Sequence, residues 1–312
     1  MLNIYRSSNS KIVELENFEP GCWINLTAPT EEEITLVCQA TGALPELVKA
    51  ALDEEERSRI EHEEEEHQTL ILVDIPRVEK ENDSFVYTTL PFGIVHCEEY
   101  IITTCLIASH LVRDFLDGRI RGLYTAKKTR FIFQLLLQNA GRYLNYLRQI
   151  DSASNRVHTE MQKSYRNKEL LQMMALEKSL VYFSTSLKSN ELVLEKLLRV
   201  EFIKKYSDDE DILEDVIIEN KQAIEMCSIY RDILSGTMDA YASIISNNLN
   251  IVMKLLAALT IVLAIPAIFA AYWGMNVPVP FEGHPYGFWI VMGISLLGTL
   301  GTFIFLWRKK MF

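Results

Sequence analysis

Eleven positions near the C-terminal end recur in alternating steps of four and three: Asp239, Ser243, Ser246, Asn250, Met253, Ala257, Thr260, Ala264, Ala267, Ala271 and Gly274. A 3.5-residue period puts them on one face of a helix, as in the seam of a left-handed bundle. Every member is polar or small except Met253. Polar groups in the first half run into small ones in the second, the pattern of a water-accessible pore face. Small residues also let transmembrane helices approach closely, so helix packing is the competing reading of the second half.

The elements that must carry this face are two apolar runs. Residues 255–273 and 288–307 contain no charged side chain. At a rise of ~1.5 Å per residue, each covers the ~30 Å hydrocarbon core of a bilayer. The connecting stretch 274–287 holds three prolines and three glycines and reads as a tight loop. Lys254 precedes the first run and Arg308, Lys309 and Lys310 follow the second, whereas the loop has no Lys or Arg. The positive-inside rule then predicts cytoplasmic flanks, with both termini in the cytoplasm of a multi-pass protein of the cell membrane. Residues 1–10 lack the apolar core of a secretory signal,. All five cysteines lie before the first span, so reduced thiols are expected,.

The remainder is acidic. The 312-residue chain has a formal net charge of −11, yet after Asn250 the only acid is Glu282. Such a balance argues against nucleic acid as a partner, because binding the phosphate backbone needs basic surface. Residues 1 to about 105 carry strand signals: 68–75 ending at Pro76, 84–90 ending at Pro91, then 92–96 and 100–105,. Acid-rich helical stretches are expected around 29–36 and 45–60. Between Pro91 and Pro266 there is no proline and little glycine, which predicts long helices with breaks near 118–122, 151–155 and 207–209,. The fold class is therefore α+β, a mixed sheet plus long helices continuing into a two-span helical membrane domain. The expected divisions are a cytoplasmic domain with a helical hairpin (1–207), a stalk helix (208–254), a first span (255–273), a loop (274–287), a second span (288–307) and a basic tail (308–312). A helix unbroken from Asp208 to Trp273 would be roughly 100 Å long.

The first span ends in Ala271-Tyr272-Trp273-Gly274-Met275-Asn276. An aromatic-Gly-Met-Asn at the outer end of the penultimate span, with a short loop, one last span and a basic tail, resembles the CorA family of divalent-cation channels. The stretch 239–254 is similar to that family's approach to its pore helix. Pro266 lies one residue closer to Gly-Met-Asn than in familiar members, and Ala264 stands where they carry Met. The resemblance implies a homopentameric funnel in membrane lipid that conducts Mg²⁺, with Co²⁺ or Ni²⁺ as further cargo. Gly274, Met275 and Asn276 would form the selectivity filter, the Asn276 carboxamides ringing the outer mouth. Neutral amide oxygens suit an ion that sheds its water reluctantly, because they can hold its hydration shell without trapping it. A helix-ending glycine commonly takes positive φ, so Gly274 is expected to turn the chain that way.

Along the seam of such an assembly, Asp239 would form an acidic ring and Asn250 a polar ring at the membrane entrance. Ala257, Thr260, Ala264 and Ala267 leave room, so the narrow apolar point falls at Met253 or neighbouring Leu256. By its spacing of 24 residues from Asp239, Asp215 resembles a regulatory Mg²⁺ ligand of the family. The tract 61–66, Glu79 and Glu81 are candidates for its partner.

Other signals read more plainly. The run 61–67 reads as solvated acidic surface, with weak divalent-cation binding as the lesser alternative. His96, Cys97 and Cys105 lack a second Cys pair at zinc-finger spacing and read as strand residues. No phosphate loop or catalytic triad is present, so the chain is not expected to be an enzyme. A zinc transporter of the same superfamily remains an alternative, with Glu282 and His284 in the loop. A membrane-anchored interaction protein is a third reading, although a mere anchor has no use for a polar stripe entering the membrane.

Overall fold

The computed structural model describes residues 1–312 except 9, 10, 82, 83, 119, 121, 164–166, 201, 202, 204, 205, 282 and 312. The chain divides into two compact units, Met1–Gly236 and Thr237–Phe312.

Among the described residues the first unit has seven strands: β1 (Leu2–Ser8), β2 (Lys11–Leu15), β3 (Trp23–Thr27), β4 (Arg59–Glu63), β5 (Gln68–Glu81), β6 (Ser84–His96) and β7 (Ile101–Cys105). They form one sheet in the order β2-β1-β3-β7-β6-β5-β4. Only β3 and β7 pair in parallel, so the sheet is mixed as expected. Successive side chains alternate between its faces. On one face Leu70, Leu72, Val95 and Ile102 pack with residues of α1 (Glu31–Thr41) and α2 (Pro45–Lys49). On the other, Ile71, Val73, Ile75, Phe92 and Ile94 pack beneath α3 (His110–Leu116), α4 (Lys128–Lys163), α5 (Asn167–Arg199) and the first part of α6 (Ser207–Trp273).

Three local expectations are corrected. β5 and β6 continue through Pro76 and Pro91, pairing in register with Thr89 and Asp74. Both prolines fall at sites whose backbone points away from the β5–β6 ladder, and there the other neighbour has already ended: β4 stops opposite Leu72, and β7 opposite Phe92. A missing N–H therefore breaks no ladder bond. The edge this leaves on β5 is closed by side chains. Asn190 Oδ1 accepts from the Asp74 N–H at 2.8 Å, and Asn139, Asn190 and Tyr143 donate to the Asp74 carbonyl. Secondly, α4 passes unbroken through 151–155, where Asn155 donates to Asp151 one turn earlier at 3.3 Å. Thirdly, the helix in 45–60 is short. A 3-10 turn at Ala50–Leu52 ends it, and Arg59 already belongs to β4.

The second unit contains the remainder of α6 and α7 (Gly287–Arg308). Both helices are long and apolar enough to cross a membrane, and almost none of either apolar stretch is buried within the chain. A core helix of a soluble protein would be covered.

Candidate functional site

The residues of α6 that α7 covers set the geometry of the site. Ala258 is fully buried, and Val262, Ile265, Phe269 and Trp273 are half-buried, again in steps of three and four. The covered residues of α7 are small at Gly287, Ser295, Gly298, Thr299 and Thr302 and larger at Ile290, Val291 and Leu306. A Cβ added at Gly298 would lie 3.4 Å from Ile265 and 3.5 Å from Phe269, so bulky side chains of one helix fill the hollow of the other,.

The polar and small seam is offset from this covered stripe by one or two residues, roughly 100–200° around the helix,. Asp239, Ser243, Ser246, Asn250, Met253, Ala257, Thr260, Ala267, Ala271 and Gly274 are all exposed, and only Ala264 is half-buried. Packing against α7 therefore does not account for the small residues of the seam other than Ala264. Met253 and Leu256 are 59% and 57% exposed, large apolar side chains left mostly uncovered by the described residues. The hydroxyls of Ser243 and Thr260 donate to the carbonyls of Asp239 and Leu256 one turn earlier, at 3.0 and 2.8 Å. Each proton is committed to the helix, which leaves the oxygen lone pairs to accept from the water around a cation.

At the far end α6 closes with the Gly274 N–H on the Ala270 carbonyl at 3.0 Å. The φ of Gly274 is not positive, contrary to expectation. The constraint on this glycine is close approach, since a Cβ would stand 3.1 Å from the Ala270 oxygen. Met275 and Asn276 are exposed just beyond the helix end, and the Asn276 carboxamide has no hydrogen-bond partner among the described residues. The C-terminal end of a helix carries partial negative charge, so the position favours cations.

Asp215 lies exposed on α6 in the first unit. Glu219, one turn on, sits over α4, where a methyl at Gly141 would be 3.5 Å from its carboxylate. Burial raises the Glu219 pKa; the charge of Asp215 raises it further, and Arg148 opposes the shift. Among the described residues no three His, Cys, Asp or Glu side chains gather into a metal-holding group. Glu282 and the Glu81 side chain lie outside the described residues. The 61–67 tract forms the end of β4 and the turn into β5, where Arg59 pairs with Glu56 and Glu61. Cys97 and Cys105 are buried and all five cysteines are free thiols.

The sequence reading missed the covered face of α7 and the Glu219 position. The spacing of Gly287, Ser295, Gly298 and Thr302 was a signal for the first. Nothing in the sequence marks that Gly141 lies beneath Glu219.

Comparison with known proteins follows the same lines. The family model described as "CorA-like Mg2+ transporter protein" matches residues 19–310. The chain is 27% identical over 298 residues to the cobalt/magnesium transport protein CorA of Methanocaldococcus jannaschii, covering 92% of this chain and 90% of that one. The complete structure of the CorA magnesium transporter from the same organism superposes with a TM-score of 0.83 at 24% identity, over 99% of this chain and 98% of that one. A fold likeness extends to the ZntB cytoplasmic domain of Vibrio parahaemolyticus, with a TM-score of 0.59 at 14% identity over 80% and 97% of the two chains. With the family model spanning nearly the whole sequence, the chain belongs to the CorA family.

Proposed function

We propose that the chain is one subunit of a homopentameric Mg²⁺ channel in the plasma membrane, driven by the ion gradient and the membrane potential. Co²⁺ and Ni²⁺ are further cargo. The observation that carries this reading is the seam on α6, which α7 leaves uncovered and which leads to the exposed carboxamide of Asn276. Five such seams around an axis make a path lined by carboxylate, carboxamide and hydroxyl oxygens on the cytoplasmic side and by small residues in the membrane.

Along that path, the Asp239 ring raises the local cation concentration and Asn250 marks the membrane entrance. Met253 and Leu256 form the apolar constriction, which gates by excluding water. Ala257, Thr260, Ala264 and Ala267 line the wider part, and Gly274, Met275 and Asn276 form the filter. Asp215 serves a regulatory site between adjacent subunits, sensing cytoplasmic Mg²⁺. Under the positive-inside rule, Lys254 and the Arg308, Lys309 and Lys310 cluster support a cytoplasmic side for both termini,.

Oxygen donors without thiolate or imidazole favour a hard ion over Zn²⁺. His284 in the loop accepts from the Tyr286 N–H through Nδ1 at 3.3 Å, a structural use for that nitrogen. The test is flux into liposomes containing the purified protein, comparing Mg²⁺ with Zn²⁺. Wild-type protein should carry Mg²⁺ in preference, and Asn276→Ala should abolish flux while still assembling. Normal Mg²⁺ flux by Asn276→Ala would rule out the filter role.

A further inference from the structure

The loop after Gly274-Met275-Asn276 is tied back to the helix ends at one corner. The Trp273 indole Nε1–H donates to the Pro280 carbonyl at 2.9 Å. The next residue, Phe281, holds a φ of 68°, a left-handed conformation that a bulky side chain rarely adopts,. Gly287, the first residue of α7, presses on the same corner. A Cβ there would lie 2.6 Å from the Phe281 carbonyl oxygen, 3.3 Å from Trp273 Cζ2 and 3.5 Å from Phe281 Cβ, so no side chain fits while the corner keeps its shape. The return to α7 is closed by the His284 N–H on the Phe281 carbonyl at 3.2 Å and the Gly287 N–H on the His284 carbonyl at 2.9 Å.

The indole bond thus closes a ring of eight residues, 273–280, with Asn276 in its middle. We propose that Trp273 and Gly287 are positioning residues that clamp the Phe281 corner and thereby hold the Asn276 carboxamide at the outer mouth. The inference rests on the filter reading of Asn276. A short loop with bonded ends has few conformations open to it, so the carboxamide is presented ready-oriented to a hydrated cation. Strain at Phe281 persists only because its surroundings hold it, and the indole and the bare Cα of Gly287 are those surroundings. Phenylalanine at 273 would keep the ring but has no N–H to reach Pro280.

The test uses the full chain in liposomes, reading both the half-saturating Mg²⁺ concentration and the maximal flux, with size-exclusion elution as the check on assembly. Trp273→Phe should raise the half-saturating concentration about three- to tenfold, the worth of one hydrogen bond, and change maximal flux little. Gly287→Ala should act in the same direction. The double variant should be no worse than the more affected single one, because both release the same corner. An unchanged half-saturating concentration in Trp273→Phe would overturn the clamp, as would effects that simply multiply in the double variant. If Gly287→Ala does not assemble, Trp273→Phe alone decides. Normal flux by Asn276→Ala removes the filter reading and the clamp with it. Loss of flux there, with Trp273→Phe unchanged, removes the clamp alone.

Discussion

Single cysteines placed along α6 distinguish a water-lined face from a packed one. Two sets are compared: positions 257, 260, 264 and 267 on the seam, and 258, 262, 265 and 269 beneath α7. The background is low. Cys22, Cys97, Cys105 and Cys227 are buried, and burial pushes the Cys97 thiol up to about 12 and that of Cys227 to about 11. Only Cys38 is half-buried, so Cys38→Ala suffices as the starting protein. A charged reagent reaches a thiol only through water, so a thiol facing α7 or lipid is shielded from it. An added barrier of ~1.4 kcal/mol to that approach slows modification about tenfold. A charged, water-soluble reagent should therefore modify the seam set at least about tenfold faster and block Mg²⁺ flux as it does so. Positions 255 and 259, which lie off the seam, should stay slow. Equal rates in the two sets, or faster reaction beneath α7, would refute the assignment of the seam to the conduction path.

Met253→Ala or Leu256→Ala should widen the apolar constriction and raise flux at high internal Mg²⁺, whereas Ala264→Leu should lower it; liposome flux at fixed internal Mg²⁺ reads both. If Asp215 bridges subunits through Mg²⁺, protease protection of the first unit should fall on chelation in wild type and be insensitive to it in Asp215→Ala. Unchanged protection in wild type counts against the regulatory site. The raised pKa of Glu219 means that its charged form is disfavoured in the folded chain, so its stabilising contribution is present below the unfolded carboxyl pKa and lost as pH rises through the folded one,. Glu219→Gln should accordingly be more stable than wild type at pH 7 and equal to it in acid below the carboxyl range, as read by thermal melts of the purified protein. Asn190→Ala should destabilise the first unit by about 2–3 kcal/mol, the loss of two part-buried hydrogen bonds to the Asp74 backbone, one of which leaves its N–H without that partner, measured by urea unfolding,. A change under about 0.5 kcal/mol would mean that water takes over the role of Asn190.

Much of the architecture was legible because it depends on local composition and period. Two charge-free runs of membrane length, the basic residues beside them and the 4-3 seam from Asp239 to Gly274 are properties of spacing alone. So is the strand character of 68–75 and 92–96, since alternation of apolar residues on a pleat needs no knowledge of the partner. The Gly-Met-Asn at a helix end was readable for the same reason.

What sequence could not decide depends on neighbours distant along the chain. Pro76 and Pro91 looked like strand ends, but a proline interrupts a sheet only where a partner needs its N–H, and register places both beyond the ends of β4 and β7. Asp151 and Asn155 looked like a break, yet one turn apart they bond to each other along α4. Gly274 promised a left-handed cap, and its actual constraint is the Ala270 oxygen. Above all, a stripe of small residues in a membrane helix serves packing and conduction equally well in sequence. Only the tertiary structure decides which face of α6 receives α7: Ala258, Ile265 and Phe269 are covered, while the seam, one or two residues away, stays open except at Ala264, because each residue turns ~100° around the helix,.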